Sequence, residues 1–175
     1  MKWLLSLIVI SLPLYIIRFK IFSFPTTFLE ILILLTFSFW IVKNFREKRD
    51  FKKIFNTGFE KPIILFLSVA VVSLLVTPDK RGGLGIFKAY FGEPILVFYM
   101  TVDTLQRTKS WRWLVWALII SGLWLSFFCF GQKITGRFTF APWEMAQGRV
   151  SAVYNSANMV GLYLGPIIAL ILPLS

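Results

Sequence analysis

Long apolar runs without a single charge constrain this chain more than any other feature. Ile63 to Val76 is one such run and Val150 to Leu174 another, with the charged residues pushed between them. A soluble domain carries about 45–50% apolar and about 25% charged residues. Here the figures are 57% and 15%, and the mean hydropathy is +0.75, which excludes a water-soluble core. At about 20 residues per span plus loops, a chain of 175 residues has room for roughly six membrane helices. The runs are continuously apolar and not alternating, which argues against a closed β-barrel. The expected fold is therefore all-α, a polytopic transmembrane bundle of about six spans in a single domain over residues 1–175.

The spans read from the sequence are Trp3 to Ile17, with an extension to Phe22 at the interface as an alternative, Thr27 to Phe45, and Pro62 to Thr77. Leu84 to Val102, Trp111 to Gly131 and Ser151 to Leu174 follow. Met1-Lys2 and the apolar stretch after it could pass for a signal peptide. No small-residue cleavage site follows, however, so a retained first helix is the better reading. Cys129, the single cysteine, lies inside an apolar run and reads as a small buried hydrophobe. No internal repeat or low-complexity segment is present.

The chain carries 19 basic and 8 acidic residues, a net charge of +11. In a soluble protein this excess would raise nucleic acid as a partner. Here the cations fall mostly between spans, where lipid headgroups and the positive-inside rule account for them without nucleic acid. Lys2, the cluster from Lys43 to Lys61, and Arg107, Lys109 and Arg112 place eleven cations on one side. Arg18, Lys20, Lys80, Arg81, Lys133, Arg137 and Arg149 place seven on the other. The bias puts the N-terminus, and with an even span count Ser175 also, in the cytoplasm. Trp111, Trp113 and Trp116 fit an aromatic belt, and Phe51, Ile54 and Phe55 fit a short helix lying on the inner leaflet.

With no histidine in the chain, the commonest general base and a leading metal ligand are missing. Four polar features remain. Thr27 and Glu30 match a capping box at the start of the second span, behind Pro25. Lys88 and Glu93-Pro94 lie in the fourth span, where each charge costs about 2.5–3.5 kcal/mol at the bilayer centre. Five residues apart, they do not share a helix face. Pro94 can kink the helix or start it afresh. The alternative places Lys88 in an outer interfacial segment beginning near Gly82-Gly83, and Glu93 then lies nearer the outer surface, facing a cavity or a basic partner. The third feature is Arg149 with Asn155 and Asn158, at the expected outer surface before the last span. Its guanidinium suits a phosphate, with an adjacent helix N-terminus adding free N–H groups. Asn155 and Asn158, three apart, would share a face into the bundle. The alternative is a snorkelling arginine with interhelical hydrogen bonds of about 1 kcal/mol each. Fourth is the outer loop Gln132 to Gly148, with Lys133, Arg137, Trp143 and Glu144, whose spacing identifies no catalytic arrangement.

Three stretches carry a resemblance: Ser23-Phe24-Pro25-Thr26-Thr27-Phe28-Leu29-Glu30, Gly85 through Lys88 to Glu93-Pro94, and Gly148-Arg149 through Asn158 with Tyr163-Leu164. In this order they resemble the N-terminal half of the O-antigen ligase family, which belongs with the O-antigen polymerases. The resemblance implies a bacterial inner-membrane protein that handles an undecaprenyl-diphosphate-linked glycan on the periplasmic face, with no nucleotide, metal or other cofactor. Members transfer that glycan to lipid A-core or to another acceptor. By resemblance Arg149 would contact the diphosphate, and Asn158, with Asn155 and Glu93 as further candidates, would help shape the same cavity. The family's large periplasmic loop, with further arginines and its proposed histidine base, comes later than Ser175. The expectation is thus the N-terminal part of a larger protein, without autonomous catalysis and with no catalytic residue assigned. Two other classes compete: a transporter or flippase component with Lys88, Glu93 and Arg149 lining a path, and a non-catalytic membrane scaffold. The glycan, the acceptor and the oligomeric state are not legible.

Overall fold

A computed structural model describes residues 1–21 and 24–174. The extension of the first helix to Phe22, Ser23 of the first motif and the side on which Ser175 ends lie outside the described residues. In chain order the helices are α1 (Lys2–Ile10), α2 (Phe28–Arg46), α3 (Phe51–Phe55), α4 (Glu60–Val76) and α5 (Lys80–Phe87), then α6 (Glu93–Thr108), α7 (Arg112–Thr135), α8 (Pro142–Ala146) and α9 (Ala157–Ile171). A π turn (Lys88–Gly92) joins α5 to α6, and 3-10 turns cover Leu12–Ile16 and Leu172–Leu174. The chain is thus all-helical, with one antiparallel hairpin, β1 (Arg18–Ile21) and β2 (Phe24–Thr27), as the exception.

The chain divides into two compact units, one of residues 1–5 and 30–110, the other of 6–29 and 111–175. In the first, α2, α3 and α6 meet around Ile33, Trp40, Ile54 and Met100, all buried. Phe51 lies tilted against Phe45 at 5.1 Å and Phe55 meets Tyr99 edge-on at 4.7 Å. Of the apolar face of α3, expected to lie on the inner leaflet, Ile54 is buried against the chain itself, Phe51 is half-buried and Phe55 remains exposed. A five-residue helix is too short to hold its shape alone, and tertiary burial supplies what propensity cannot. In the return from α4 into α5 a β-carbon at Gly83 would come within 2.8 Å of Thr77 Cγ2 and 2.9 Å of Leu74 Cδ1, so those side-chain ends would have to move. Asp79 caps α5 by accepting from the Gly82 N–H at 2.9 Å.

From Lys80 to Thr108 the chain is one helical run. Pro94 has no N–H, and its ring would crowd the carbonyl four residues back in a regular α-helix. The π turn just before it relieves that conflict, with the Glu93 N–H reaching the Lys88 carbonyl. The proline expected to kink or restart the fourth span is absorbed by a widened turn.

In the second unit, α7 and α9 pack together and α7 also meets the 3-10 turn. The core here is Leu125, Ala152, Val153 and Tyr154, with Tyr15, Ile16, Phe128 and the half-buried Cys129 packed against it. Ser121 Oγ and Tyr163 Oη share a 2.5 Å hydrogen bond between α7 and α9, and the Ser121 hydroxyl also donates to the Ile10 carbonyl at 3.3 Å. α7 ends in the left-handed region at Gly136 (φ 64°), whose N–H closes on the Gln132 carbonyl. Trp111 and Trp116 are exposed, whereas Trp113 is half-buried with its indole N–H unpartnered among the described residues.

Four expected spans change at their ends, and in one of them the helix expected over Leu84 to Val102 runs from Lys80 to Thr108. The first helix stops at Ile10, because Pro13 removes a donor and crowds the preceding turn, and the chain turns into the hairpin. The last helix starts at Ala157 and not Ser151, and Ser151 to Ser156 form turns. α7 runs one turn past Gly131, to Thr135. Of the six spans expected, α2 and α7 are the two described helices long and apolar enough to cross a bilayer, and α9 is a shorter apolar one.

Candidate functional site

Of the predicted binding residues, Arg149 and Asn158 come together. The Arg149 Nη2 donates to Asn158 Oδ1 at 2.7 Å, at the first turn of α9. The Arg149 Nη1 stands 3.1 Å from the Glu144 carboxylate as an ion pair. Glu144 is buried, and its other oxygen accepts from the Ser156 hydroxyl (3.1 Å) and the Ala157 N–H (3.2 Å). The start of α9, expected to lend free N–H groups to a phosphate, is therefore already capped by a carboxylate. Because Arg149 is still about half exposed, the N–H groups of its fork not aimed at Glu144 and Asn158 face outward.

Asn155 does not share a helix face with Asn158. It precedes the helix, in the turn that ends at the extended Ser156, whose hydroxyl accepts from the Asn158 N–H at 3.3 Å. Serine favours that N-cap conformation, and the two asparagines consequently lie on different local geometry, both exposed.

Gln132 fixes the loop that carries Arg149. Its amide nitrogen donates to the Phe138 and Ala152 carbonyls (2.9 and 3.1 Å), and its oxygen accepts from the Ser151 and Ala152 N–H groups (3.2 and 2.9 Å). A buried amide with all its donors used is a rigid clamp, since an unmade bond there costs about 1–3 kcal/mol. Lys133 adds a 2.8 Å bond from its ammonium to the Gly148 carbonyl. Beside the clamp, Phe127, Phe128, Gly131, Thr135 and Phe138 line an open apolar groove of about 170 Å³. Arg137 and Trp143 are exposed.

In the other unit, Lys88 finds Glu30, not Glu93. Its ammonium donates to Glu30 Oε1 at 2.6 Å, with the glutamate buried and the lysine about half exposed. Glu93 is half-buried and within electrostatic reach of both. The 58-residue separation is why sequence spacing missed the pair.

The most deeply buried charge was not anticipated at all. Asp103 has no exposed surface and accepts from Trp40 Nε1 (2.8 Å), Arg49 Nη2 (3.0 Å) and Arg107 Nε (3.1 Å). Arg107 also donates to Asn44 Oδ1 and to Glu47 Oε2, each at 2.5 Å. Only the four-residue step from Asp103 to Arg107, the spacing of a helical ion pair, was there to be read.

No protein-family model matches this chain, and neither a curated protein nor a solved structure matches it.

Proposed function

We propose that the chain is a polytopic inner-membrane protein of about six spans, resembling the N-terminal part of an O-antigen ligase-like glycan transferase. Its outer loop would receive the diphosphate of an undecaprenyl-linked glycan. One observation carries this reading: Arg149 and Asn158, singled out as a pair by the resemblance, are 2.7 Å apart at the head of an apolar helix. The ligand class is amphiphilic, and the neighbourhood has both required characters. A half-exposed guanidinium keeps N–H groups beyond those given to Glu144 and Asn158 for phosphate oxygens, and the groove beside Phe127 and Phe138 offers apolar surface.

The exposed apolar side chains favour lipid as the solvent. Ile64, Leu65, Phe66, Val69, Val72, Leu75 and Val76 of α4 are each more than half exposed. Soluble monomers rarely display contiguous apolar patches above a few hundred Å², whereas in a bilayer such a surface costs nothing.

The test is carrier binding by the chain in lipid nanodiscs. A charge-assisted contact contributes about 1.5–3 kcal/mol, so Arg149→Ala should weaken undecaprenyl diphosphate binding by about ten- to a hundred-fold. Arg149→Lys should rescue only part of it, since lysine keeps the charge but loses the fork. Unchanged affinity in Arg149→Ala would leave a snorkelling arginine and end the proposal.

A further inference from the structure

The structure sorts the basic cluster between α2 and α4 into two kinds of cation. Lys43 pairs with Glu47 at 3.8 Å, and Arg49 is drawn onto buried Asp103 at 3.0 Å. Arg46, Lys48, Lys52 and Lys53 are exposed and in no ion pair among the described residues. They are also held in place. Asp50 caps α3 by accepting from the Lys52 N–H at 3.0 Å, Ile54 is 1% exposed, and Phe51 and Phe55 are packed on Phe45 and Tyr99. The Arg49–Asp103 bond ties the turn before α3 to α6. The lysines of α3 thus project from a helix whose Ile54 and Phe51 are already packed on protein, while Phe55 stays about two-fifths exposed.

We propose that Arg46, Lys48, Lys52 and Lys53 form a preorganised binding surface for anionic phospholipid headgroups. The partner follows from position. The surface begins at the last residue of α2, one of the two helices long enough to cross a bilayer, so these cations stand at headgroup level. A cation near an anionic membrane surface is worth about 1 kcal/mol, or about fivefold in affinity. Because α3 is docked on protein, binding needs no insertion of Phe51 or Ile54 into lipid and is electrostatic. It therefore weakens with salt over a Debye length of about 8–10 Å. The inference rests on the membrane reading but not on the glycan reading.

The experiment uses the whole chain in a neutral detergent. Phosphatidylglycerol and phosphatidylcholine are titrated in by native mass spectrometry, with inorganic phosphate and a DNA oligonucleotide as separate arms. Phosphatidylglycerol should bind at least about fivefold more tightly than phosphatidylcholine and weaken as salt rises. Lys52→Gln/Lys53→Gln should lose about 20- to 30-fold, Lys52→Arg/Lys53→Arg should keep the affinity, and Lys80→Gln/Arg81→Gln should change it less than twofold. Equal losses in the two glutamine pairs would overturn the proposal, because net charge and not this surface would then be responsible. Tighter binding of phosphate alone, or of DNA, would overturn it in favour of another anion. Helix content by circular dichroism is measured on each variant, and the arginine pair keeps the test decisive if the glutamine pair unfolds. Failure of the unmodified chain to insert into vesicles would refute the membrane reading itself. Insertion with equal affinity for the two lipids would refute only this inference.

Discussion

Replacing Asp103 by leucine is expected to destabilise the first unit more than any other single polar change in it. The carboxylate takes bonds from Trp40, Arg49 and Arg107 and has no exposed surface. Breaking a buried ion pair by removing one partner costs about 3–5 kcal/mol, because the surviving charge is left without compensation. Two features reduce that figure. The Arg107 side chain is 20% exposed and keeps Glu47 and Asn44, and that of Arg49 is 38% exposed and can turn to water. One feature adds to it, the Trp40 N–H, which becomes a buried donor without an acceptor at about 1–3 kcal/mol. The sum is about 3–5 kcal/mol for Asp103→Leu. Asp103→Asn, which keeps an acceptor and loses the charge, should cost about half of that. Trp40→Phe removes a donor while the carboxylate retains two arginines, so about 1 kcal/mol is expected beyond the change in ring packing. The assay is reversible unfolding in mixed micelles followed by far-ultraviolet circular dichroism, with Arg107→Leu completing a double-mutant cycle. Coupling between positions 103 and 107 should reach about 1–3 kcal/mol. If Asp103→Leu lies within about 0.5 kcal/mol of the unmodified chain, the network is a surface feature and the burial argument fails.

Other outcomes follow from the remaining contacts. Gln132→Leu should cost about 2–4 kcal/mol and make the segment from Phe138 to Ala152 cleavable by protease, and unchanged protection would refute the clamp. Glu144→Gln keeps the cap on α9 but removes the charge beside Arg149, so carrier binding should tighten by about two- to tenfold, and weaker binding would mean that Glu144 orients the arginine. The hydrogen bond from Arg107 holds the Glu47 carboxyl below the ordinary carboxylate range. Its contribution is therefore present above that range and lost as pH falls through the depressed value, and Glu47→Gln should flatten the stability profile in that acidic window alone. Reporter fusions at Asn56 and Gly136 should report opposite faces of the membrane, with Asn56 cytoplasmic, and agreement between them would end the six-span reading.

The elements legible in advance were those that local chemistry dictates. α2 and α4 were placed within a residue or two, because uninterrupted apolar runs bounded by charge leave no other reading. Pro13 was passed over inside an apolar run, although its missing donor ends α1. The hairpin over Arg18 to Thr27 follows an alternation of charged and apolar residues too short to outweigh the hydropathy around it. Arg149 and Asn158 could be grouped because they stand only nine positions apart, on either side of the turns that lead into α9. Asn155 was misplaced since counting from an assumed helix start moves every face when that start shifts from Ser151 to Ala157. The Glu30–Lys88 and Trp40–Asp103 contacts join residues about sixty apart, and only packing decides which distant charge meets which.

The widened turn at Lys88 to Gly92 holds one residue more than an ordinary α-turn, and the surplus is taken up locally so that the helix on either side keeps its phase. Deleting Ala89 should therefore close an ordinary ladder and keep Lys88 on the side of Glu30, at the cost of returning Pro94 to a regular helix where its ring crowds the carbonyl four residues back. A second residue inserted here has no such outlet, and it would turn the upstream helix by about 100° relative to α6 and carry Lys88 off Glu30. Length tolerance in this stretch is thus one-sided: a loss is absorbed more readily than a gain.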